Sequence, residues 1–463
     1  MKRYFLNISS FAVALLAIVM VGCNGISDER AHTLKVYNWG DYIDEDLIAE
    51  FEEWYEEQTG EPVSIIYQTF DINEVMLAKI ENGHADFDVV CPSEYIIERM
   101  MRNELLQPIL TPEFEAEINA KNINYFSCVS PYIKEQFSLL EAPEGQNPND
   151  YSVGYMWGTT GILYNAKHVT EEEAMSWGLM FDKRLQDKIF VKDAFRDVYS
   201  PILVYAKTLE KRASGELGEN EMLSQQTIRE LMYDSSDESI ALVESYLKRM
   251  KELVAGWEAD FGKEMMTQEK AWIDLMWSGD AVWAIDEASE VDVELGYAVP
   301  KEGSVMWFDG WVIPKYARNT KAARYFINYM CMPHNAILNM EEIGYVSVIA
   351  SPEILDWAND EEVEQTSNLT YFFGEGADSV HANHVFYPDQ IVIERCALMH
   401  DCGDKTEDML AMWSRVKGDN LTPKMVIFML VVAVAIVFTV IIRTITKGNQ
   451  RKKMQRKKRK NKR

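Results

Sequence analysis

The sequence predicts an α/β fold in two lobes, followed by a C-terminal transmembrane helix. Strand and helix patterns alternate over the first hundred residues, and the alternation starts again after Tyr151. The chain has 463 residues, and the part between its two terminal segments is too long for a fold built on one sheet with a single lobe. Near the C-terminus, residues 425–442 contain no charged side chain.

The first part of the body has a βαβαβ pattern. Apolar residues recur at helical spacing over residues 44–58. A second helix is predicted over residues 73–81, closed by Asn82-Gly83, and Pro92-Ser93 is typical of the start of a further helix. The strands that flank these helices are predicted at residues 34–38, 63–67 and 87–91. Strands joined by helices in this way form a parallel sheet covered by helices.

The second part of the body has weaker signals. A charge-rich helical stretch is predicted from about residue 212 to 274, and a helix over 321–330 follows the Asn319-Thr320 cap. Short strands are predicted at residues 161–164, 188–191, 281–285, 296–299 and 310–313.

The body is strongly acidic. The chain has 46 Lys and Arg residues against 74 Asp and Glu. Residues 1–23 and 424–463 contain 15 of the basic residues and none of the acidic ones, so residues 24–423 carry a net charge of −43. Such a charge repels nucleic acid and attracts cations, which excludes nucleic-acid binding by the main domain.

The N-terminus has the pattern of an export signal. Lys2 and Arg3 precede a short apolar run that ends at Gly22-Cys23. Residues 1–22 are therefore predicted to be a signal peptide. The ending resembles a bacterial lipobox, which would make Cys23 the lipidated first residue of the mature protein. Ordinary cleavage, with Cys23 playing no part, is the alternative.

The C-terminus has the pattern of a membrane anchor. Residues 425–442 would span about 27 Å as a helix, enough to cross a bilayer core. The tail 443–463 is basic and should be cytoplasmic, which places the acidic body in the periplasm and the chain at the inner membrane. Basic tails also bind RNA or anionic lipid, but a stop-transfer anchor needs fewer assumptions.

Motifs for covalent chemistry are absent from the sequence. It contains no GxGxxG, GxxxxGK[ST], GxSxG or HExxH motif and no CxxC pair. We therefore predict no enzyme activity, no catalytic residues, no cofactor and no metal site. An exported location permits disulfides, and Cys396–Cys402 is the shortest candidate, although buried free thiols are the simpler expectation.

Aromatic and acidic residues recur together where strands end. Carboxyl ends of strands line the ligand crevice of doubly wound sheets, and aromatic faces with carboxylates suit an alkylammonium ligand. Singly, these residues could be helix caps, as we prefer for Asp193, or core residues. The pattern involves Trp39 and Tyr42, Ser93 and Tyr95, Asp193 and Asp197, Trp277 and Asp280 before the strand 281–285, and Trp307 and Asp309 before the strand 310–313.

Six segments resemble the polyamine-binding proteins of bacterial ABC importers, the spermidine/putrescine periplasmic receptors. They run in family order between about residues 33 and 416, which makes the match specific. The segments are YNWGDY (37–42), DVVCPSEY (88–95), YMWGTTG (155–161), WSGD (277–280), WFD (307–309) and IGY (343–345).

The resemblance implies a two-lobed periplasmic binding protein fold of type II, with a hinge between the lobes. Lobe 1 would comprise residues 33–160 with 303–352, and lobe 2 residues 161–302 with 353–416. Asp309 corresponds to the family's carboxylate that binds an ammonium group of the ligand. The resemblance places the ligand contacts at Trp39, Tyr42, Ser93, Tyr95, Asp197, Trp277, Asp280, Trp307, Asp309 and Tyr345.

Three departures from the family pattern bear on the ligand. Ala194 replaces an acidic position of spermidine-preferring relatives, whereas Asp280 resembles the acid of the putrescine-preferring branch. Met399 stands where the spermidine branch uses Gln. Together they favour putrescine.

The resemblance implies a monomeric receptor that captures putrescine or spermidine and hands it to the permease subunits of an ABC transporter. A membrane-anchored polyamine sensor or scaffold, signalling through the transmembrane helix, is the alternative. An exported hydrolase on the same lobes would be a third possibility, but no motif supports it.

Overall fold

The computed structural model describes residues 30–259 and 261–418. The strands are β1 Thr33–Trp39, β2 Ser64–Phe70, β3 Val89–Val90, β4 Leu106–Gln107, β5 Ser152–Asn165, β6 Ile189–Lys192, β7 Val254–Glu258, β8 Ile273–Trp277, β9 Leu295–Ala298, β10 Ser304–Pro314, β11 Val346–Ser347 and β12 Cys396–Ala397. The α-helices are α1 Asp46–Thr59, α2 Asn73–Glu81, α3 Glu94–Arg102, α4 Pro112–Ala120, α5 Pro131–Phe137, α6 Pro148–Tyr151, α7 Glu171–Ala174, α8 Phe195–Ser214, α9 Gln225–Met232, α10 Asp237–Lys251, α11 Gly262–Thr267, α12 Ser278–Ser289, α13 Thr320–Met330, α14 Pro333–Ile343, α15 Pro352–Ala358, α16 Thr370–Phe373, α17 Gln390–Ile393 and α18 Thr406–Gly418.

The strands form one sheet with the order β2-β1-β3-β10-β5-β8-β6-β7. At one end β1 pairs with β2 and β3 in parallel, and at the other end β6 pairs with β7 and β8 in parallel. Strands β10 and β5 run antiparallel between these two parallel groups, and β9 also pairs with β5. The sheet therefore consists of two parallel halves joined by two long strands.

Strand β5 connects the two halves, and all of its residues are buried. Its first part, through Thr159, pairs with β10, and its second part, from Thr160, pairs with β8. Gly158 lies beside this change of partner, where a Cβ atom would come within 2.4 Å of the Ser278 hydroxyl oxygen and 2.6 Å of the Trp307 ring. Only glycine lets the neighbouring side chains approach the strand so closely.

The predicted βαβαβ unit is confirmed with small shifts of its boundaries. Helix α2 has the predicted bounds, and the third strand is shorter than expected. Helix α13 begins at Thr320, and the Asn319 side chain accepts a hydrogen bond from the Ala322 N–H, as the cap predicted.

Two predictions for the middle of the chain were wrong. The stretch 212–274 is not continuously helical, because it contains strand β7 and the first residues of β8. Residues 281–285 are helical, not a strand, and lie within α12. The buried positions Ala281, Ala284 and Ala288 have the spacing of one helix face, which a short apolar run conceals.

These corrections change the local setting of two predicted site segments. Trp277 is the last residue of strand β8, and Asp280 lies in the first turn of α12, so the segment lies at the end of a strand and does not precede one. Trp307 and Asp309 lie inside β10 and not before it.

All twelve strands belong to a compact unit that ends at Glu407, and a second unit begins at Asp408. Within residues 30–259 and 261–418, no helix is long and apolar enough to cross a bilayer. The predicted signal peptide 1–22, Cys23, the predicted transmembrane helix 425–442 and the tail 443–463 lie outside the described residues. The cysteines of the described part, among them Cys396 and Cys402, are free thiols.

Strand β8 was not predicted, yet it lies between β5 and β6 and should be important for stability. Ile273 is fully buried in it, beside Tyr164 and Ile189 of the neighbouring strands. We expect Ile273→Ala to lower the free energy of unfolding by about 2–5 kcal/mol, through lost burial and the cavity left behind. Denaturant unfolding of the purified protein measures this loss.

Ile391 provides the matched control, because its side chain is 61% exposed on α17. Ile391→Ala should change the unfolding free energy by less than about 0.5 kcal/mol. Equal effects of the two substitutions would contradict the central position of β8.

Candidate ligand-binding site

Asp309 is a buried carboxylate held by two hydroxyl groups. The Tyr42 hydroxyl donates to Oδ2 at 2.9 Å, and the Ser93 hydroxyl donates to Oδ1 at 2.7 Å. A register shift follows Asp309, where Asp309 pairs with Met156 and Gly310 with Gly154. Such a bulge changes the direction in which side chains leave a strand.

The burial of Asp309 raises its pKa to about 7. Hydrogen bonds from Ser93 and Tyr42 oppose this shift, and the nearby charge of Asp197 adds to it. Burial also raises the pKa of Tyr42 well above its usual value, so the Tyr42 hydroxyl keeps its proton and remains a donor. The carboxylate is therefore fixed in position, but its negative charge is poorly stabilised.

Ser93 precedes helix α3, where a serine normally caps the first turn. It occupies the cap position, but its side chain makes no capping hydrogen bond and donates to Asp309 instead. Asn73 donates to the hydroxyl oxygens of both Ser93 and Tyr95, each at 3.1 Å. The Tyr95 hydroxyl in turn donates to Glu74 at 3.2 Å. This arrangement fixes the rotamer of Ser93 from outside the site.

Three aromatic rings, of Tyr42, Tyr345 and Trp307, form a chain of contacts that begins at the Asp309 carboxylate. The ring of Tyr345 lies edge-on to that of Tyr42 with centroids 5.2 Å apart, and it is 5.7 Å from the Trp307 ring. A Cβ atom on Gly279 would lie 2.4 Å from the Tyr345 ring, so the start of α12 packs directly against that ring. The rings form an apolar wall next to a negative charge.

Asp197 and Trp277 form a second part of the site. Asp197 lies in the first turn of α8, and its Oδ1 accepts a hydrogen bond of 2.9 Å from the Trp277 indole nitrogen. Desolvation raises the pKa of Asp197 to about 6, although Trp277 and Arg196 oppose the shift. The cap of α8 is Ala194, so our preference for Asp193 as the helix cap was wrong.

Asp280 is held by protein groups on both oxygens. Oδ2 is 2.6 Å from the Lys192 ammonium, and Oδ1 accepts a 2.8 Å hydrogen bond from the Tyr345 hydroxyl. Lys263 lies 3.7 Å from Oδ1. Burial opposes ionisation of Asp280, but Lys192 and Lys263 outweigh it and lower its pKa.

Asp274 is a further buried acid, close to Asp280 and Lys192. Asp274 is fully buried in β8, and neither of its oxygens has a hydrogen-bond partner among the described residues. Burial, with the nearby charges of Glu258 and Asp280, raises its pKa well above the usual range, against the influence of Lys192. Its surroundings therefore disfavour the ionised form of the Asp274 carboxyl group.

Most of the predicted site residues form one connected group. Tyr42 and Ser93 hold Asp309, Tyr42 and Trp307 contact Tyr345, and Tyr345 donates to Asp280. Tyr95 joins through Asn73. Trp277 donates to Asp197, and this pair joins the group through Lys192, whose ammonium lies over the Trp277 ring and beside Asp280. Trp39 ends β1 and packs on Phe70, with ring centroids 4.5 Å apart.

Two charged members of the group, Lys192 and Glu258, were not predicted. They are the last residues of β6 and β7, and both are fully buried. Lys192 directly precedes Asp193, so the rule that drew attention to Asp193 and Asp197 could have found it. Within the described residues, no cluster of three or more His, Cys, Asp or Glu side chains is arranged to hold a metal ion.

Comparison with known proteins identifies the family. The sequence profile of the bacterial extracellular solute-binding proteins matches residues 46–368. The chain is 25% identical over 379 residues to the spermidine/putrescine-binding periplasmic protein of Escherichia coli (strain K12), covering 80% of this chain and 93% of the relative. It is 28% identical over 425 residues to the putrescine-binding periplasmic protein SpuD of Pseudomonas aeruginosa, covering 88% and 98%.

A solved structure supports the same assignment. A putative spermidine/putrescine ABC transporter protein from Listeria monocytogenes superposes with a TM-score of 0.63 at 28% identity, over 83% of this chain and 99% of the other. The two-lobed fold predicted from the sequence is thereby confirmed. The chain belongs to the family of bacterial extracellular solute-binding proteins, which are transport receptors and not enzymes.

Proposed function

We propose that the protein is an extracytoplasmic receptor that captures a polyamine, putrescine or spermidine, and delivers it to the permease of an ABC transporter. The observation that carries this proposal is the buried carboxylate of Asp309, fixed by two hydroxyl donors and lined by aromatic rings. The names of the relatives from Escherichia coli and Pseudomonas aeruginosa support the same class of ligand.

Asp309 is prepared to accept a cation. A carboxylate has about four acceptor positions, and Tyr42 and Ser93 use one on each oxygen. The remaining positions suit the N–H groups of an ammonium. Removing a bound cation from water strengthens its attraction to Asp309, and the faces of Trp307 and Tyr345 add about 0.5–2 kcal/mol for each cation–π contact.

Asp197 supplies a second carboxylate for the ligand. The Trp277 indole fixes one of its oxygens, and its pKa of about 6 leaves it mostly ionised at neutral pH. The charge of Asp197 raises the cost of ionising Asp309, because it contributes to the raised pKa of Asp309. Ligand ammonium groups would relieve this repulsion.

The lobe boundaries remain part of the proposal. Lobe 1 would comprise residues 33–160 with 303–352, and lobe 2 residues 161–302 with 353–416. In this division Asp309 belongs to lobe 1 and Asp197 and Asp280 to lobe 2. The change of partner along β5 at Thr159 and Thr160 supports a crossing at that point. A hinge there would let the lobes close on the ligand and exclude water.

The proposal includes an unusual attachment to the inner membrane. Residues 1–22 would direct export, Cys23 would carry lipid, the helix 425–442 would cross the bilayer, and the tail 443–463 would remain in the cytoplasm. The charge distribution of the sequence supports this arrangement. The receptor would act as a monomer that docks on the permease. The transporter names of the relatives favour transport over a role as a sensor.

Asp309→Asn should weaken putrescine binding well over tenfold. The variant removes the charge but keeps the size of the side chain, and losing the partner of a buried cation costs about 2–5 kcal/mol. Calorimetric titration of the full-length protein in detergent measures the change. Asp356→Asn, on the exposed part of α15, is the matched control and should bind like the wild type. Unchanged affinity of Asp309→Asn would refute the assigned role.

Polyamine affinity should rise with pH. The pKa values of about 7 for Asp309 and about 6 for Asp197 leave both partly protonated near neutrality. A bound ammonium favours the ionised carboxylates, so binding releases protons and tightens between about pH 6 and pH 8. Titrations in two buffers of different ionisation enthalpy count the protons, and Asp309→Asn should release fewer. A flat affinity over this range would contradict the assignment.

The topology predicts where a reporter is active. Alkaline phosphatase folds only after export, so a fusion after Arg463 should be inactive in cells. A fusion after Pro423, before the apolar segment, should be active. An active fusion after Arg463 would contradict the cytoplasmic tail.

A further inference from the structure

Lys192 is a buried ammonium at the end of strand β6. Its side chain is completely inaccessible to solvent. The ammonium nitrogen lies 2.6 Å from Oδ2 of Asp280, 2.9 Å from Oε1 of Glu258 and 3.2 Å from the carbonyl oxygen of Ala259. Burial alone would lower the pKa of Lys192, but Asp280 and Glu258 overcome that effect and raise it, so the side chain is charged.

The same ammonium also lies over an aromatic ring. Its nitrogen is 4.5 Å from the centroid of the Trp277 ring. Carboxylates, a carbonyl oxygen and an aromatic face together are the groups that a ligand ammonium requires. A side chain of the protein therefore occupies a cation position among the predicted ligand contacts.

This position changes the number of carboxylates available to a ligand. The family resemblance implies three carboxylates for the ligand, namely Asp197, Asp280 and Asp309. Asp280 is already neutralised by Lys192, and Lys263 lies close to its other oxygen. A further ammonium at Asp280 would meet a buried like charge, which is costly. Asp197 and Asp309 are left for the ligand.

We propose that Lys192 is a built-in ammonium that fills one cation position of the site and limits the ligand to two ammonium groups. The receptor then selects an aliphatic diamine over a triamine. This inference rests on the proposed function, because it concerns which polyamine the same site accepts. It assigns to Lys192 a role in specificity that goes beyond holding β6, β7 and α12 together.

The test is the ratio of the two affinities, measured by calorimetric titration of the full-length protein in detergent. The probes are putrescine, a diamine, and spermidine, a triamine. Wild-type protein should bind putrescine at least about tenfold more tightly than spermidine. Lys192→Met keeps the length of the side chain and frees Asp280, so the ratio should move toward spermidine by at least about tenfold.

Two further variants separate specificity from folding. Lys192→Met leaves the buried Glu258 carboxylate without its ammonium partner. The double variant Lys192→Met/Glu258→Gln also removes that carboxylate, so it should fold and show the same shift in the ratio of the two affinities. Lys188→Met is the control, because Lys188 lies 5.3 Å from the centroid of the Trp272 ring but pairs with a backbone carbonyl instead of a site carboxylate. Its ratio should match the wild type.

The outcomes distinguish the two proposals. If Lys192 were only structural, its substitution would weaken the binding of putrescine and of spermidine equally in the folded variants. The ratio of the two affinities would then stay unchanged, which would overturn the inference but leave the proposed function in place. A wild-type preference for spermidine would overturn it as well. Wild-type protein that binds neither amine would overturn the proposed function, and this inference with it.

Discussion

The cost of burying the Asp309 carboxylate determines how the site is built. A buried carboxylate needs hydrogen-bond donors or a cation, and the protein supplies two hydroxyl donors but leaves the charge poorly stabilised. The donors come from different parts of the chain, Tyr42 after β1 and Ser93 before α3, and Asp309 itself comes from β10. The parallel half of the sheet that contains β1 and β3 must therefore be correctly paired with β10 before the site exists.

The site has two halves, one around Asp309 and one around Asp280, and the negative charge is stabilised differently in each. At Asp309 the hydrogen-bond donors are neutral hydroxyls and the nearby charge of Asp197 is also negative, so the carboxylate would gain from a cation that a ligand supplies. At Asp280 the neighbouring groups include Lys192 and Lys263, and the charge is balanced within the protein. Tyr345 contacts both halves, because its ring lies against Tyr42 and its hydroxyl donates to Asp280. A ligand that moves Tyr345 would therefore affect both halves.

Local sequence patterns predicted much of the fold, but they failed where packing overrides them. Helix α2 is closed by Asn82-Gly83 and α13 begins behind the Asn319 cap, and these end signals predicted both helices closely. Strand β8 was missed because a five-residue buried strand next to a charge-rich helical region has no distinctive period. Residues 281–285 are helical and not the predicted strand, because the helical spacing of this apolar run is clear only when Ala288 is included.

The candidate site shows a similar limit. Aromatic and acidic residues at strand ends, together with the family segments, predicted Asp309 and its neighbours, because those residues carry recognisable side-chain chemistry. The role of Ser93 could not be separated from helix capping by sequence alone, since either use places a serine before a helix.

Lys192 shows why a list of matching site residues is an incomplete guide to specificity. Asp280 resembles the acidic residue of the putrescine-preferring relatives, and this resemblance favours putrescine only if the Asp280 charge faces the ligand. The structure places a lysine ammonium 2.6 Å from that carboxylate, so the same aspartate is balanced from within the protein. The number of ligand charges that a site accepts depends on its net charge after internal pairing, and not on the number of acids it contains. In our proposal, the charge left for a ligand in this site is that of Asp197 and Asp309.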